Sequence, residues 1–250
     1  MFHSRRRPAV TAPAEPVFAL RELCRRYSGG GADFELWVPA LTLKAGELVV
    51  LKGVSGSGKS TLLDILALVS RPDRAAYFRF TPGPGRGADA AQLWRDGQLD
   101  TLSRLRGEHI GYILQIGGLL PFLTVRENIG LPCRLLGRPL LRAVPELAER
   151  LGISRQLDKF PAQLSVGVRQ RAAIARALVH RPNVVLADEP TASVDPLNAA
   201  VILQVLLDLV ERFGPTTVIA SHDWQGAAGL QSLEFRLERD GPLIRASVGN

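Results

Sequence analysis

The chain has 250 residues, of which 46% are hydrophobic and 22% charged, with a formal net charge of +7. This suffices for one large domain with a substantial core and excludes a disordered or fibrous chain. No apolar run approaches the roughly 20 residues that span a bilayer, because the stretch 201–210 is cut by Gln204 and Asp208. The basic excess is mostly arginine spread along the sequence, which describes a solvated surface rather than a nucleic-acid-binding run.

In chain order, Arg5, Arg6 and Arg7 are followed by Pro8, Pro13 and Pro16 instead of an apolar core. Residues 1–15 therefore read as a basic tail, and no signal peptide is expected. Residues 17–27 and 34–43 mix apolar and charged positions as strands do, with a turn at Gly29-Gly30-Gly31 between them. Residues 47–52 form a short buried strand, a glycine-rich loop follows, and a helical pattern then runs to about residue 69. A loop at 81–87, a helix at 99–106 and a strand at 110–115 come next. Thr124 and Glu127 have capping-box spacing, which opens a helix reaching about residue 136. Further helices are expected at 146–151 and 168–180, then a buried strand at 183–188. In the helix expected at 197–213, Leu197, Val201, Val205, Leu209 and Phe213 recur every fourth residue, with Ile202, Leu206 and Val210 beside them. A strand at 216–221 and a hairpin about Asp240-Gly241 end the pattern. Strands alternating with helices predict an α/β fold with a largely parallel sheet. Strands at both ends predict an added antiparallel subdomain, and residues 99–163 a helical one, all within one domain over 16–250. Cys24 and Cys133 match no metal-ligand spacing and read as reduced thiols.

Two motifs carry chemistry. Gly53-Val54-Ser55-Gly56-Ser57-Gly58-Lys59-Ser60 fits G-x-x-x-x-G-K-[ST] between a predicted strand and a predicted helix, the context of a P-loop. Its glycines let backbone amides turn inward around phosphate oxygens, and the helix that follows presents its positive end. Lys59, one of four lysines, supplies a point charge for the β- and γ-phosphates, and the Ser60 hydroxyl is a ligand for Mg²⁺. Thr61 completes the candidate nucleotide-binding set. Downstream, the apolar strand ends in Asp188-Glu189. Asp188 can reach the Mg²⁺ region, largely through water, and Glu189 can orient or deprotonate an attacking water.

Together these segments resemble an ABC-type ATPase, over about residues 17–241. The resemblance implies a P-loop NTPase core, ATP and Mg²⁺ as ligands, and ATP hydrolysis. It implies a Q-loop role for Gln115, in contact with Mg²⁺ and the attacking water, and a γ-phosphate contact for His222 in Ser221-His222-Asp223. Tyr27 sits where the family stacks an aromatic on adenine, and Ser193-Val194-Asp195 resembles the loop that crosses the dimer interface. LSVGVRQR at residues 164–171 occupies the signature position. Ser165 and Gly167 match it, while Val166 stands where a glycine is usual and Val168 where glutamine or glutamate is usual. These two departures predict slower turnover with ATP binding retained. The partners implied are an integral membrane permease, with residues 120–132 as the docking surface, and a second ATP-binding subunit, more readily an identical copy. No nucleic acid is expected, and the place implied is the cytoplasmic face of the inner membrane. LLPFLTVRENIGLP, ARALVHRP and LADEP are most similar to lipoprotein-releasing and macrolide-exporting ATPases, from which TASVD departs. The competing readings are a regulatory ATP-binding subunit with weak hydrolysis, an ATPase acting on nucleic acid, and a small-molecule P-loop kinase.

Overall fold

The computed structural model describes residues 15–28, 33–139, 143–222, 231–240 and 243–249. The expected tail over 1–14, the Gly29-Gly30-Gly31 turn, Asp223 and Gly241 lie outside the described residues. Within them the strands are β1 (Phe18–Tyr27), β2 (Asp33–Leu43), β3 (Leu48–Lys52), β4 (Tyr77–Phe80), β5 (Ala88–Asp89), β6 (Ile110–Ile113), β7 (Val184–Asp188), β8 (Thr216–Ser221), β9 (Gln231–Asp240) and β10 (Leu243–Gly249). The helices are α1 (Lys59–Leu66), α2 (Ala90–Arg95), α3 (Leu99–His109), α4 (Val125–Leu135), α5 (Ala143–Arg150), α6 (Val166–Leu178) and α7 (Pro196–Phe213).

All ten described strands join one sheet in the order β5-β4-β1-β2-β10-β9-β3-β8-β7-β6. From β9 to β6 every pairing is parallel; β5-β4-β1-β2 and the β9–β10 hairpin pair antiparallel. The antiparallel part is thus hydrogen-bonded to the parallel part through β9 and β3, and not a separate layer.

The central strands are apolar throughout because both faces of the sheet are covered. On β7, Val184 and Leu186 enter one core while Val185 and Ala187 enter the other; on β8, Val218 and Ala220 oppose Ile219 in the same way. The first core holds α1, part of α3 and the stacked rings of Phe18 and Phe80, whose centroids are 4.8 Å apart. The second holds apolar residues of α4, α5, α6 and α7. The segment 99–163 contributes to both: Leu102 of α3 packs in the first core, β6 is an edge strand, and α4 and α5 pack in the second.

The capping box at α4 is formed: Glu127 accepts from Thr124 N and Oγ1 at 2.9 and 2.8 Å, and Thr124 Oγ1 accepts from Glu127 N at 3.3 Å. Helix α7 differs from the sequence reading in its buried face. Ile202, Leu206, Leu209 and Val210 are buried while Val201 is 51% exposed. A strict four-residue repeat drifts by about 40° per step on a 3.6-residue helix, so it cannot stay on one face. Strands β4 and β5 and helix α2 escaped the sequence reading because four, two and six residues are too short to show a period.

Candidate functional site

The loop between β3 and α1 forms the centre of the site. Gly58, just before the first turn of α1, has φ +93° and ψ +8°, a left-handed conformation that favours glycine. A Cβ on Gly53 would lie 2.7 Å from Ser57 Oγ and 2.9 Å from Phe235 Cβ, so β9 closes against the loop from behind. No side chain caps α1. Its first amides are left for an anion.

Lys59 is 4% exposed, and its Nζ donates to the carbonyls of Gly53 and Val54 at 2.7 and 2.8 Å. Burial lowers the pKa of this ammonium, with Glu189 and Asp188 pulling it back up. Outside the loop lies a cleft of about 380 Å³. Of the predicted nucleotide residues, Tyr27, Ser55, Gly56, Ser57, Gly58, Lys59, Ser60 and Thr61 line it, together with Gln115 and Glu189. Phe34, which sequence reasoning missed, pairs with Tyr27 at 6.5 Å between centroids. The strand register sets Tyr27 opposite Phe34, and an aromatic at the end of β1 with another at the start of β2 was the available signal.

The parallel strands deliver the acidic side. Glu189 follows β7 with φ +43°, a strained backbone for a non-glycine residue. It is fixed there by a bond from its amide to Ala220 O at 3.0 Å, and its Oε2 lies 3.0 Å from His222 Nδ1. Asp188 is half-buried. Burial raises its pKa, as do the Glu189 and Asp64 charges, while the Ser60 hydroxyl and Lys59 oppose them. Asp188 Oδ1 is buried with no hydrogen-bond partner. An orphaned carboxylate oxygen beside a serine hydroxyl suits Mg²⁺, which binds hard oxygens and takes few protein carboxylates. Asp188, with Ser60 beside it, could hold such an ion, and Gln115 lines the same cleft as Ser60.

Six predicted residues do not line this cleft: Gly53, Asp188 and His222, which adjoin residues that do, and Ser165, Gly167 and Asp195. Ser165 caps α6 by accepting from Val168 N at 3.4 Å. Asp195 caps α7 through Asn198 N at 3.1 Å and Asn198 Nδ2 at 2.8 Å. A Cβ on Gly167 would meet Val194 Cγ1 at 3.8 Å and Ile202 Cδ1 at 4.0 Å. Val166 is the first residue of α6, is 41% exposed and has no positive φ. A valine there adds bulk at the helix start without straining the backbone.

The structure also shows supports that the sequence did not announce. Gln170 Nε2 donates to Leu114 O at 3.2 Å, and Arg176 donates to Gly118 O at 2.8 Å and Gly117 O at 3.0 Å. These two side chains of α6 tie down the loop that carries Gln115. Tyr112 of β6 donates to Asp64 of α1 at 2.8 Å. Burial, and then the Asp64 charge, push its phenol far above the ordinary tyrosine range.

A glycine-rich loop between a parallel strand and a helix, with two carboxylates at the end of the next strand but one in the sheet, defines a P-loop nucleotide-binding domain. The family profile described as ABC transporter matches residues 38–192. The chain belongs to the ABC transporter family. It is 36% identical over 228 residues to the lipoprotein-releasing system ATP-binding protein LolD of Idiomarina loihiensis, covering 88% of this chain and 94% of LolD. It is 39% identical over 235 residues to the macrolide export ATP-binding/permease protein MacB of Shigella flexneri, covering 92% of this chain and 34% of MacB. It thus spans about a third of MacB's length. It also resembles the dimeric structure of the ATP-binding cassette MJ0796 in a post-hydrolysis state bound to ADP and Pi, with TM-score 0.69 and 30% identity over 82% of this chain and 88% of that one.

Proposed function

We propose that this chain binds ATP with Mg²⁺ in the cleft and hydrolyses it to drive a membrane permease of the lipoprotein-releasing or macrolide-exporting kind, as one of two identical copies at the cytoplasmic face of the membrane. The observation that carries the reading is the Glu189 carboxylate, which lines the same cleft as Gly58 and Lys59 and is held 3.0 Å from His222. Backbone amides at the start of α1 receive the phosphates, Lys59 leaves its own loop carbonyls for them, and Tyr27 with Phe34 flanks the base. Glu189 orients the water that attacks the γ-phosphorus and takes its proton; the bond to ADP breaks and phosphate leaves. His222 positions Glu189 and meets the γ-phosphate. Ser60, Asp188 and Gln115 would hold Mg²⁺, which would supply charge neutralisation on the phosphates. Ser165, Gly167 and Asp195 lie away from the chain's own cleft, which suits a role at the ATP of a second copy.

Among the described residues no helix is long and apolar enough to cross a membrane, so a membrane role calls for a partner segment. Ile116 and Phe122, 78% and 71% exposed, flank the Gln115 loop and form the proposed permease contact. Arg126 is paired with Asp158 at 3.0 Å and Glu127 is committed to the α4 cap, so these apolar groups carry the docking rather than those charges.

Phosphate-release assays test the motor reading. Wild type should hydrolyse MgATP; Glu189→Gln should lose at least about a hundredfold in kcat while still binding MgATP and running as a dimer in gel filtration. Folded wild type that binds no MgATP would refute it. The exposed Val166 favours one second reading, a regulatory subunit with weak hydrolysis. Wild-type turnover no faster than Glu189→Gln would select it.

A further inference from the structure

The antiparallel half of the sheet turns a second face away from the first core. Cys24 and Arg26 of β1, Glu35 and Trp37 of β2 and Arg245 of β10 stand together there by strand register, with Cys24 opposite Trp37 and Arg26 and Arg245 both opposite Glu35. Asp73 and Arg74, from the segment after α1, close one side. The pocket they enclose is about 510 Å³, larger than the nucleotide cleft.

Glu35 organises it. Its side chain is 4% exposed. One carboxylate oxygen accepts from Arg26 Nε and the Cys24 thiol, the other from Arg245 Nε at 2.7 Å. Burial alone would raise this carboxyl, but the donors Arg26, Arg245 and Cys24 hold it below its ordinary value. Both arginines bind it through Nε, and among the described residues neither presents its Nη groups to an acceptor. Asp73 is also committed, to Arg25 Nη1 at 2.8 Å and to Arg26 N at 2.6 Å. Arg74 has no carboxylate among the described residues and lies over Trp37 at 5.4 Å from the ring centroid. Both carboxylates are therefore occupied while three guanidinium forks are not. Planar forks with spare N–H groups recognise oxyanions, phosphate above all.

We propose that this pocket is an oxyanion site, taking a phosphate group, free or on a phospholipid headgroup, between Arg26, Arg74 and Arg245 with Trp37 alongside. Glu35 would hold two of the forks in place before the anion arrives, which lowers the ordering cost of binding.

Trp37 offers a local signal once the other two tryptophans are replaced. The protein to use carries Trp94→Phe and Trp224→Phe, with Lys59→Ala to silence the P-loop, so the outcome is separate from that of the nucleotide reading. At constant ionic strength set with chloride, inorganic phosphate should change Trp37 fluorescence saturably. Arg74→Gln, which leaves the Glu35 ion pairs intact, should weaken the apparent affinity by about tenfold or more, and Arg245→Gln should do likewise. If the source is lipid, phosphatidylglycerol vesicles should retain the protein in flotation and phosphatidylcholine vesicles should not, with Arg74→Gln abolishing the retention. Either response supports the site and tells the sources apart. No saturable response in either arm, or responses unchanged in both arginine variants, would overturn it.

Discussion

Changing His180 to leucine should flatten the acid limb of this protein's stability curve. His180 lies between α6 and β7, is 5% exposed, and has no hydrogen-bond partner at either ring nitrogen. Burial pushes its pKa down from 6.5 to about 4, helped by the charges of Arg138 and His109, while the Ile110 backbone pulls partly the other way. Between those two values the unfolded chain takes up a proton that the folded chain refuses. Stability is therefore lost as pH falls through the window and is fully present only above the unfolded value. The whole shift is worth about 3 kcal/mol, of which about 2 kcal/mol falls between pH 7.5 and pH 5. The raised carboxyl of Asp188 acts in the opposite sense but is common to both proteins and cancels. Leucine keeps the bond from Arg138 Nη1 to the residue 180 carbonyl, since that acceptor is backbone. Urea unfolding at the two pH values, on wild type and His180→Leu, measures the difference. Wild type should lose about 2 kcal/mol more than the variant over this range; equal losses would show that the ring is solvated or paired in the folded protein.

Two further outcomes bear on the site. In Gly111→Ala the new Cβ would lie 2.1 Å from Ala177 O, a backbone atom of α6. The strand must move, so the urea midpoint should fall by the equivalent of about 3 kcal/mol, and phosphate release should fall with it; an unchanged midpoint would refute the contact. Val166→Gly removes bulk at an exposed helix start, so it should cost less than about 1 kcal/mol of stability yet raise steady-state phosphate release several-fold. A faster wild type would count against the steric account.

The P-loop was legible because it is local: eight consecutive residues encode turn, amide cradle and lysine. The strand at 183–188 was legible because a strand covered on both faces is an unbroken apolar run. The hydrogen bond between Glu189 and His222 was not, because it joins residues 33 positions apart and depends on β7 and β8 lying side by side. Glu35 was less legible still. On a strand that alternates apolar and polar residues it reads as a solvent-facing charge, and its partner Arg245 is 210 residues away. Only the parallel pairing of β10 with β2 brings them together and buries the carboxylate.

Helix α6 joins what the sequence presents as separate motifs. Its first turn is capped by Ser165, its middle holds Leu114 O through Gln170, and its last turns hold Gly117 O and Gly118 O through Arg176. Its Ala177 carbonyl leaves room for no side chain at Gly111 on β6. Gln115 therefore sits on a loop fastened to α6 on both sides, with the strand before it packed on the same helix. Burial lowers the pKa of the Arg176 guanidinium, and its bond to Gly117 O is part-buried, where breaking it costs more than at an exposed site. A displacement of Gln115 by nucleotide would thus carry Ser165 with it, or break bonds that nothing else replaces. On the proposed function, where Gln115 serves the chain's own nucleotide and Ser165 that of a second copy, these bonds would give a physical route by which events at one nucleotide reach the other.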